Sequence, residues 1–256
     1  MIVCTLALYF NSFPGFPLVV AANRDESYDR PSAPPSVIGT LPAILAGKDL
    51  RAGGTWLGVN EYGLLVGILN RRAPISLPTG DEYRSRGLLC LELLRLKDVT
   101  DVERIFHTLS ATAYQPFTIV GADSSNVCVA CNIDEKIEMV KLQEGLHVFS
   151  NSAAFNAQSE KVSRVYEQFL KLSQTADERL SVSDYVGEIA RVLGDHSLGQ
   201  DSNDPRDAIC VHGEISGTVS SSVIFYSDTA QQFQSYYCDG APCRNPFIEY
   251  PSLDLR

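Results

Sequence analysis

The chain has 256 residues, of which 45% are hydrophobic and 20% charged, the balance of a soluble globular protein. Its 21 basic and 31 acidic residues give a formal net charge of −10. That charge argues against nucleic-acid backbones and anionic membrane surfaces as partners. No apolar stretch approaches the roughly 18–20 residues of a membrane span, so no membrane insertion is expected. The start, Met1 to Ala22, lacks a basic n-region and is interrupted by Pro14, Gly15 and Pro17, so it reads as neither signal peptide nor anchor. Seven cysteines without an export signal are expected to be reduced thiols, which points to a cytoplasmic location.

Val3 to Phe10 and Leu18 to Ala22 are β-rich runs joined by a Pro/Gly turn, which predicts a hairpin. Arg30 to Thr40 is proline-rich and reads as a loop. Thr55 to Asn60 and Leu64 to Asn70 flank Glu61-Tyr62-Gly63, a second hairpin. The leucine-dense stretch Ser85 to Leu96 is too long for a strand and predicts a helix. Thr100 and Glu103 form a capping-box pattern ahead of Ile105, Phe106 and Leu109, so another helix follows.

Strands are then expected at Pro116 to Gly121, Val127 to Ile133, Ile137 to Leu142 and Leu146 to Ser150. A third helix spans Ser159 to Leu172, with Val162, Val165, Tyr166, Phe169 and Leu170 on its apolar face. A fourth runs from Ser183 to Leu193 and ends at Gly194, a suitable C-cap. Asp195 to Asp207 is a polar loop, and Val219 to Tyr226 with Gln232 to Tyr237 close the strand set. Serial hairpins with helices inserted in pairs argue for the α+β class and mostly antiparallel sheets. With no repeat and no clean linker, residues 1–256 read as a single domain.

Cys4 stands at the head of the first strand. A cysteine that begins a mature chain carries a thiol nucleophile and, in its own α-amine, a base with a reference pKa of about 7.7–8.0. From composition alone the default is a cysteine buried in a strand. The first hairpin, however, returns the tetrad Asn23-Arg24-Asp25-Glu26 to the neighbourhood of Cys4. There an arginine would favour the thiolate and a carboxylate would orient the amine. Asn70 ends a hairpin strand and offers an amide donor to a developing oxyanion, a role worth roughly 2.7–4 kcal/mol. Asn151 likewise follows a strand.

Metal binding is not expected. In Cys128-x-x-Cys131 the two side chains of one strand point to opposite faces, and the Cys238/Cys243 spacing is loose. Cys210-Val211-His212 reads as ordinary packing, with His212 a secondary candidate. His107, His147 and His196 lie apart from any cluster in sequence. Trp56 either lines a pocket or fills the core.

The pieces Cys4-Thr5-Leu6, Ala21 to Glu26, Arg30-Pro31, Gly53 to Gly58, Ser85-Arg86-Gly87, Leu69-Asn70, Ser150-Asn151 and Gly217-Thr218 together resemble the NRDE, or transport and Golgi organisation, family. That family is similar in turn to N-terminal-nucleophile (Ntn) hydrolases of the bile salt hydrolase and penicillin V acylase type. The resemblance implies a four-layer αββα sandwich and cleavage of non-peptide C–N bonds in linear amides, without a cofactor. It implies catalytic roles for Cys4, Arg24, Asp25, Asn70 and Asn151. A one-residue gap would shift the arginine and carboxylate roles onto Asn23 and Glu26, so these remain secondary candidates. Val219 stands where many relatives have arginine.

The expected function is therefore hydrolysis of a small linear amide or acyl compound through a thioester on Cys4. The rival expectation is a binding or carrier protein for haem or an acyl-CoA or lipid ligand. Met1-Ile2-Val3 precede Cys4, and Ile2 disfavours methionine removal. With those residues in place an inactive, precursor-like state is expected. Translation from Val3, or self-cleavage before Cys4, would free the amine. Substrate identity and oligomeric state are not encoded in any motif of the chain.

Overall fold

The computed structural model describes residues 4–71, 83–151, 159–176, 180–199 and 202–256. Met1-Ile2-Val3 and all of Ala73 to Glu82 lie outside the described residues. The rest falls into two compact units, between which the chain passes repeatedly. One comprises residues up to Arg30, Glu144–Ser150 and Asn156–Tyr250. The other comprises Pro31–Gln143, Asn151–Phe155 and Pro251–Arg256. Each has its own antiparallel sheet and pair of helices, which is the α+β class.

The first unit is built on β1 (Thr5–Phe13) and β2 (Phe16–Ser27), the hairpin read from the sequence. Gly15, at φ +75°, makes the reversal that a Cβ would strain. With β10 (Gly145–Ser150), β11 (Ser216–Ser227), β12 (Gln232–Asp239) and β13 (Ile248–Asp254), they form a sheet ordered β10-β1-β2-β11-β12-β13. Two helices pack on it, α3 (Glu160–Thr175) and α4 (Val182–Leu193). Tyr9, Phe13 and Val19 from the hairpin meet Val165 and Phe169 of α3 and Ile189 and Leu193 of α4. The Ser159 side chain caps α3, and Ser181 with Asp184 forms a capping box on α4, which stops at Gly194 as expected.

The second unit has seven strands in the order β3-β4-β5-β6-β7-β8-β9. These are Ser32–Ile38, Ile44–Asp49, Leu57–Asn60, Leu65–Asn70, Phe117–Ala122, Val127–Ile133 and Lys136–Lys141. Its helices α1 (Arg86–Leu93) and α2 (Val99–Thr108) bury Leu89, Leu93, Val102 and Phe106 against Val66, Phe117 and Ile119.

Four local expectations change. The proline-rich stretch after Arg30 is not all loop, since Ser32–Ile38 pairs with β4 as an edge strand. Pro34 and Pro35 are tolerated there because the register shifts between Ala33 and Ser36. β4 and β13 were not read as strands, and the latter is an edge strand carrying Pro251. The cap of α2 is Asp98, which accepts from Asp101 N–H, rather than Thr100. The buried stripe of α3 is Lys161, Val165, Phe169 and Leu172, rotated from the expected one, and Tyr166 is exposed.

Candidate active site around Cys4

The hairpin register sets Thr5 opposite Asn23, so Cys4, one residue earlier, meets the stretch that follows Asn23. The Cys4 thiol donates to the Asp25 carbonyl over 3.5 Å. Both neighbours of β2 pair antiparallel with it, and β11 sets Thr218 opposite Asp25 and Ser220 opposite Arg24. Asn23 is thus held between β1 and β11, and Arg24, Asp25 and Glu26 run on along β11 at the same end of the sheet as Cys4.

Asn23, Arg24 and Asp25 are all buried, at 1%, 6% and 2% exposure. Asn23 spends every side-chain hydrogen bond on the fold. Its Nδ2 donates to the Leu193 and Ile209 carbonyls, both at 2.9 Å, and its Oδ1 accepts from Ser221 Oγ at 2.6 Å. Arg24 lies 3.7 Å from the Glu26 carboxylate, which Arg30 also approaches, at 3.6 Å. Asp25 accepts from Thr218 Oγ1 over 2.5 Å through Oδ1. Its Oδ2 is buried and has no hydrogen-bond partner among the described residues, and Thr5 Oγ1 is in the same condition. Buried polar atoms left this way are uncommon and mark places where another group is accommodated.

The electrostatics are set by desolvation. Burial pushes the Cys4 thiol up to about 12, the Asp25 charge pushes the same way, and Arg24 opposes both without prevailing. Arg24 favours the thiolate, in the direction expected, but burial outweighs it and the thiol stays protonated at neutral pH. Burial also raises Asp25 to about 7, against the Lys161 charge and the Thr218 hydrogen bond. Lys161 is itself buried and held below its ordinary value by desolvation, with Asp25 and Cys4 opposing the shift.

Lys161 is the member of this cluster that sequence reasoning missed. Its signal was positional, since Lys161 stands four residues before Val165 and eight before Phe169, on the buried stripe of α3.

The remaining candidates are placed elsewhere. Asn70 ends β6 opposite Phe117 and is exposed, while Asn151 directly follows β10 and is buried; both belong to the second unit. Trp56 is half-buried, its ring lying over Gly47, where a Cβ would come within 2.8 Å of it. The glycine motif around it serves packing. A Cβ on Gly54 would run into the Gly87 backbone, and Thr55 N–H donates to the Gly87 carbonyl over 3.0 Å. His212 sits with His196, Cys210 and Cys243, four side chains whose donor atoms all lie within 4.8 Å of one another. In the fold, then, His196 does not stand apart from Cys210 and His212. Cys128 lies in the apolar core of the second unit, while Cys131 faces Arg71 and Thr118, each 3.5 Å from its sulfur.

The family profile described as Transport and Golgi organisation 2 matches residues 3–236. A mouse protein, transport and Golgi organization 2 homolog, is 32% identical over 165 residues, and the human homolog is 30% identical over the same length. Each match covers 58% of this chain and 57% of the relative, so it spans little more than half of those proteins. Among solved structures, penicillin V acylase from Agrobacterium tumefaciens superposes with a TM-score of 0.57 at 14% identity, covering 99% of both chains. A variant of conjugated bile acid hydrolase from Clostridium perfringens gives 0.57 at 12% identity, over 99% of this chain and 98% of that one. A Caenorhabditis elegans ortholog of N-acylethanolamine-hydrolyzing acid amidase gives 0.54 at 15%, over 86% and 92%. The fold is that of the Ntn hydrolases, as the sequence resemblance implied.

Proposed function

This chain belongs to the transport and Golgi organisation 2 family, and from that membership and the surroundings of Cys4 we propose an N-terminal cysteine hydrolase of small linear amides or related acyl compounds. The observation that carries the proposal is Asp25: a buried carboxylate beside Cys4, with one oxygen held by Thr218 and the other without a hydrogen-bond partner among the described residues. A free α-amine on Cys4 is the group such a carboxylate would orient, and it supplies the base that the raised thiol needs.

In the proposed reaction the Cys4 sulfur attacks the amide carbonyl while the α-amine takes the thiol proton. The carbonyl oxygen becomes an oxyanion, held by a backbone N–H. As the tetrahedral intermediate collapses, the C–N bond breaks and the α-ammonium protonates the departing amine. The α-amine then takes a proton from water, hydroxide attacks the thioester, and the acid leaves as the thiol is restored. Arg24 and Asp25 set the charge around the thiol and amine, and Lys161 balances Asp25. No metal or cofactor takes part in this sequence. A cytoplasmic site of action is consistent with the seven cysteines, all free thiols.

Residues 1–3 must be absent for the amine to act. The test is amine release from a panel of N-acyl linear amides by protein that begins at Cys4. Cys4→Ala is expected to lower turnover by about 10³-fold or more. Equal rates for the two proteins would end the proposal.

The second reading is a carrier for haem, an acyl-CoA or a lipid, in which the buried, protonated Cys4 takes no part in turnover. Stoichiometric haem binding or acyl-CoA retention by the trimmed protein, without acylation of Cys4, would favour that reading.

A further inference from the structure

We propose that His196, Cys210, His212 and Cys243 form a tetrahedral zinc(II) site that clamps the wall of the Cys4 cluster. The four residues come from three separated stretches of the first unit. His196 lies just beyond the α4 cap, and Cys210 lies two residues before His212, which bridges to Gly217. Cys243 lies in the turn after β12. The Cys210 and His212 side chains meet, Sγ to Nε2, at 3.8 Å. The turn holding Cys243 is fixed against the end of α4, since a Cβ on Gly194 would lie 3.4 Å from both Cys243 N and Cα.

The donor geometry fits one small ion. Cys210 Sγ lies 3.7 Å from Cys243 Sγ and 3.8 Å from His212 Nε2, and His212 Nε2 lies 3.2 Å from Cys243 Sγ. A tetrahedron with Zn–S of about 2.3 Å and Zn–N of about 2.0–2.1 Å has edges of roughly 3.8 Å between sulfurs and 3.5 Å between sulfur and nitrogen. His196 presents the fourth donor. Its Nδ1 is 3.0 Å from the Cys210 carbonyl, which can only accept, so Nδ1 carries the hydrogen and Nε2 keeps its lone pair. Metal-bound histidines commonly have this outer hydrogen bond. Two sulfurs and two imidazoles in a tetrahedral set select zinc over magnesium or calcium, which take oxygen ligands. Hydrogen bonding alone is a poor account of the cluster, because a thiol is a weak donor and a weak acceptor.

The clamp would act on the Cys4 surroundings through backbone. Val211 N–H donates to Thr218 Oγ1 at 2.9 Å, Thr218 N–H donates to the Val211 carbonyl at 2.9 Å, and the same Thr218 hydroxyl holds Asp25. The Ile209 carbonyl, one residue before Cys210, anchors Asn23. Joining Cys210 and His212 to the end of α4 and the β12 turn therefore fixes the segment on which Thr218 and Asn23 depend. With all four positions filled by protein side chains, the role is structural.

The test is metal content and cobalt(II) substitution of the full chain, neither of which depends on hydrolase activity. One equivalent of zinc per chain is expected after purification and chelator wash. Cobalt should replace it, with the intense visible bands of tetrahedral sulfur–nitrogen coordination. Cys243→Ser, at an exposed position, should lose the zinc and those bands with its circular dichroism spectrum unchanged, whereas His107→Ala should keep both. Wild-type protein that holds no zinc after reconstitution, octahedral cobalt spectra, undiminished zinc in Cys243→Ser, or a Cys210–Cys243 disulfide in place of the metal would each overturn the proposal.

Discussion

Asn60 in the second unit and Asp25 in the first are both buried polar residues, yet they use their side chains differently. Asn60 Nδ2 donates to the Leu94 and Leu96 carbonyls at 2.9 and 2.7 Å, and its Oδ1 accepts from the Tyr62 and Leu64 amides. Its carbonyl fixes the turn around Gly63, and its amide ties that turn to the chain leaving α1. Asp25 uses one oxygen on Thr218, leaves the other without a hydrogen-bond partner among the described residues, and shares its burial with Lys161 and a thiol. A motif residue whose bonds are all spent on backbone reports a fold. One that keeps a buried charge and an unused acceptor reports a site.

Substitutions can break this contrast. Lys161→Met removes the cation that balances Asp25, and the loss should grow above pH 7, where Asp25 would ionise unpaired. There it should reach about 3–5 kcal/mol, read by denaturant unfolding at several pH values. Below that pH Asp25 is protonated and the cost should largely vanish. An equal loss at all pH values would contradict the pairing.

Asp25→Asn tests the sign of the shift. The folded chain keeps the Asp25 proton up to about pH 7, whereas an ordinary aspartate releases it near 3.8. Stability from this group is therefore present at low pH and falls as pH rises through that window, by at most about 4 kcal/mol. The variant should lose this slope. A wild-type stability that rises across the window, with the slope unchanged in the variant, would place Asp25 in a different environment. Asn60→Ala sharpens the other side of the comparison. It should cost about 2–3 kcal/mol through the carbonyls and amides left unsatisfied, with no effect on Cys4 labelling in the folded fraction. Ser181→Ala, which removes half of the α4 capping box, should cost only about 1 kcal/mol.

The sequence makes the first hairpin legible because apolar runs bracket a Pro/Gly turn, and pairing then follows without further information. It also makes the α4 stop at Gly194 and the Ser159 cap legible, since both are local chemistry. Edge strands were harder. β3 and β13 carry prolines that a central strand would exclude, and propensity alone cannot tell an edge from a loop. At the site, Cys4 and the tetrad could be joined because two strands separate them by a single turn. Lys161 could not, because a lysine on an amphipathic helix is expected to face water unless the burial stripe is read to within one residue. The sulfur–imidazole cluster was hidden for a different reason. Its members are up to 47 positions apart, from His196 to Cys243, and only the folded β11–β12 ladder and the end of α4 bring them together.

The central claim is that Cys4 becomes a nucleophile only when its own amine is free. Its most direct test is intact-mass labelling at pH 7 with an acylating amide analogue, comparing protein that begins at Cys4 with protein that retains Met1-Ile2-Val3. The account predicts a single adduct on Cys4 of the trimmed chain and none on the longer one, whose thiol burial holds near 12. Equal labelling of both, or an adduct on any other cysteine of the trimmed chain, would contradict it.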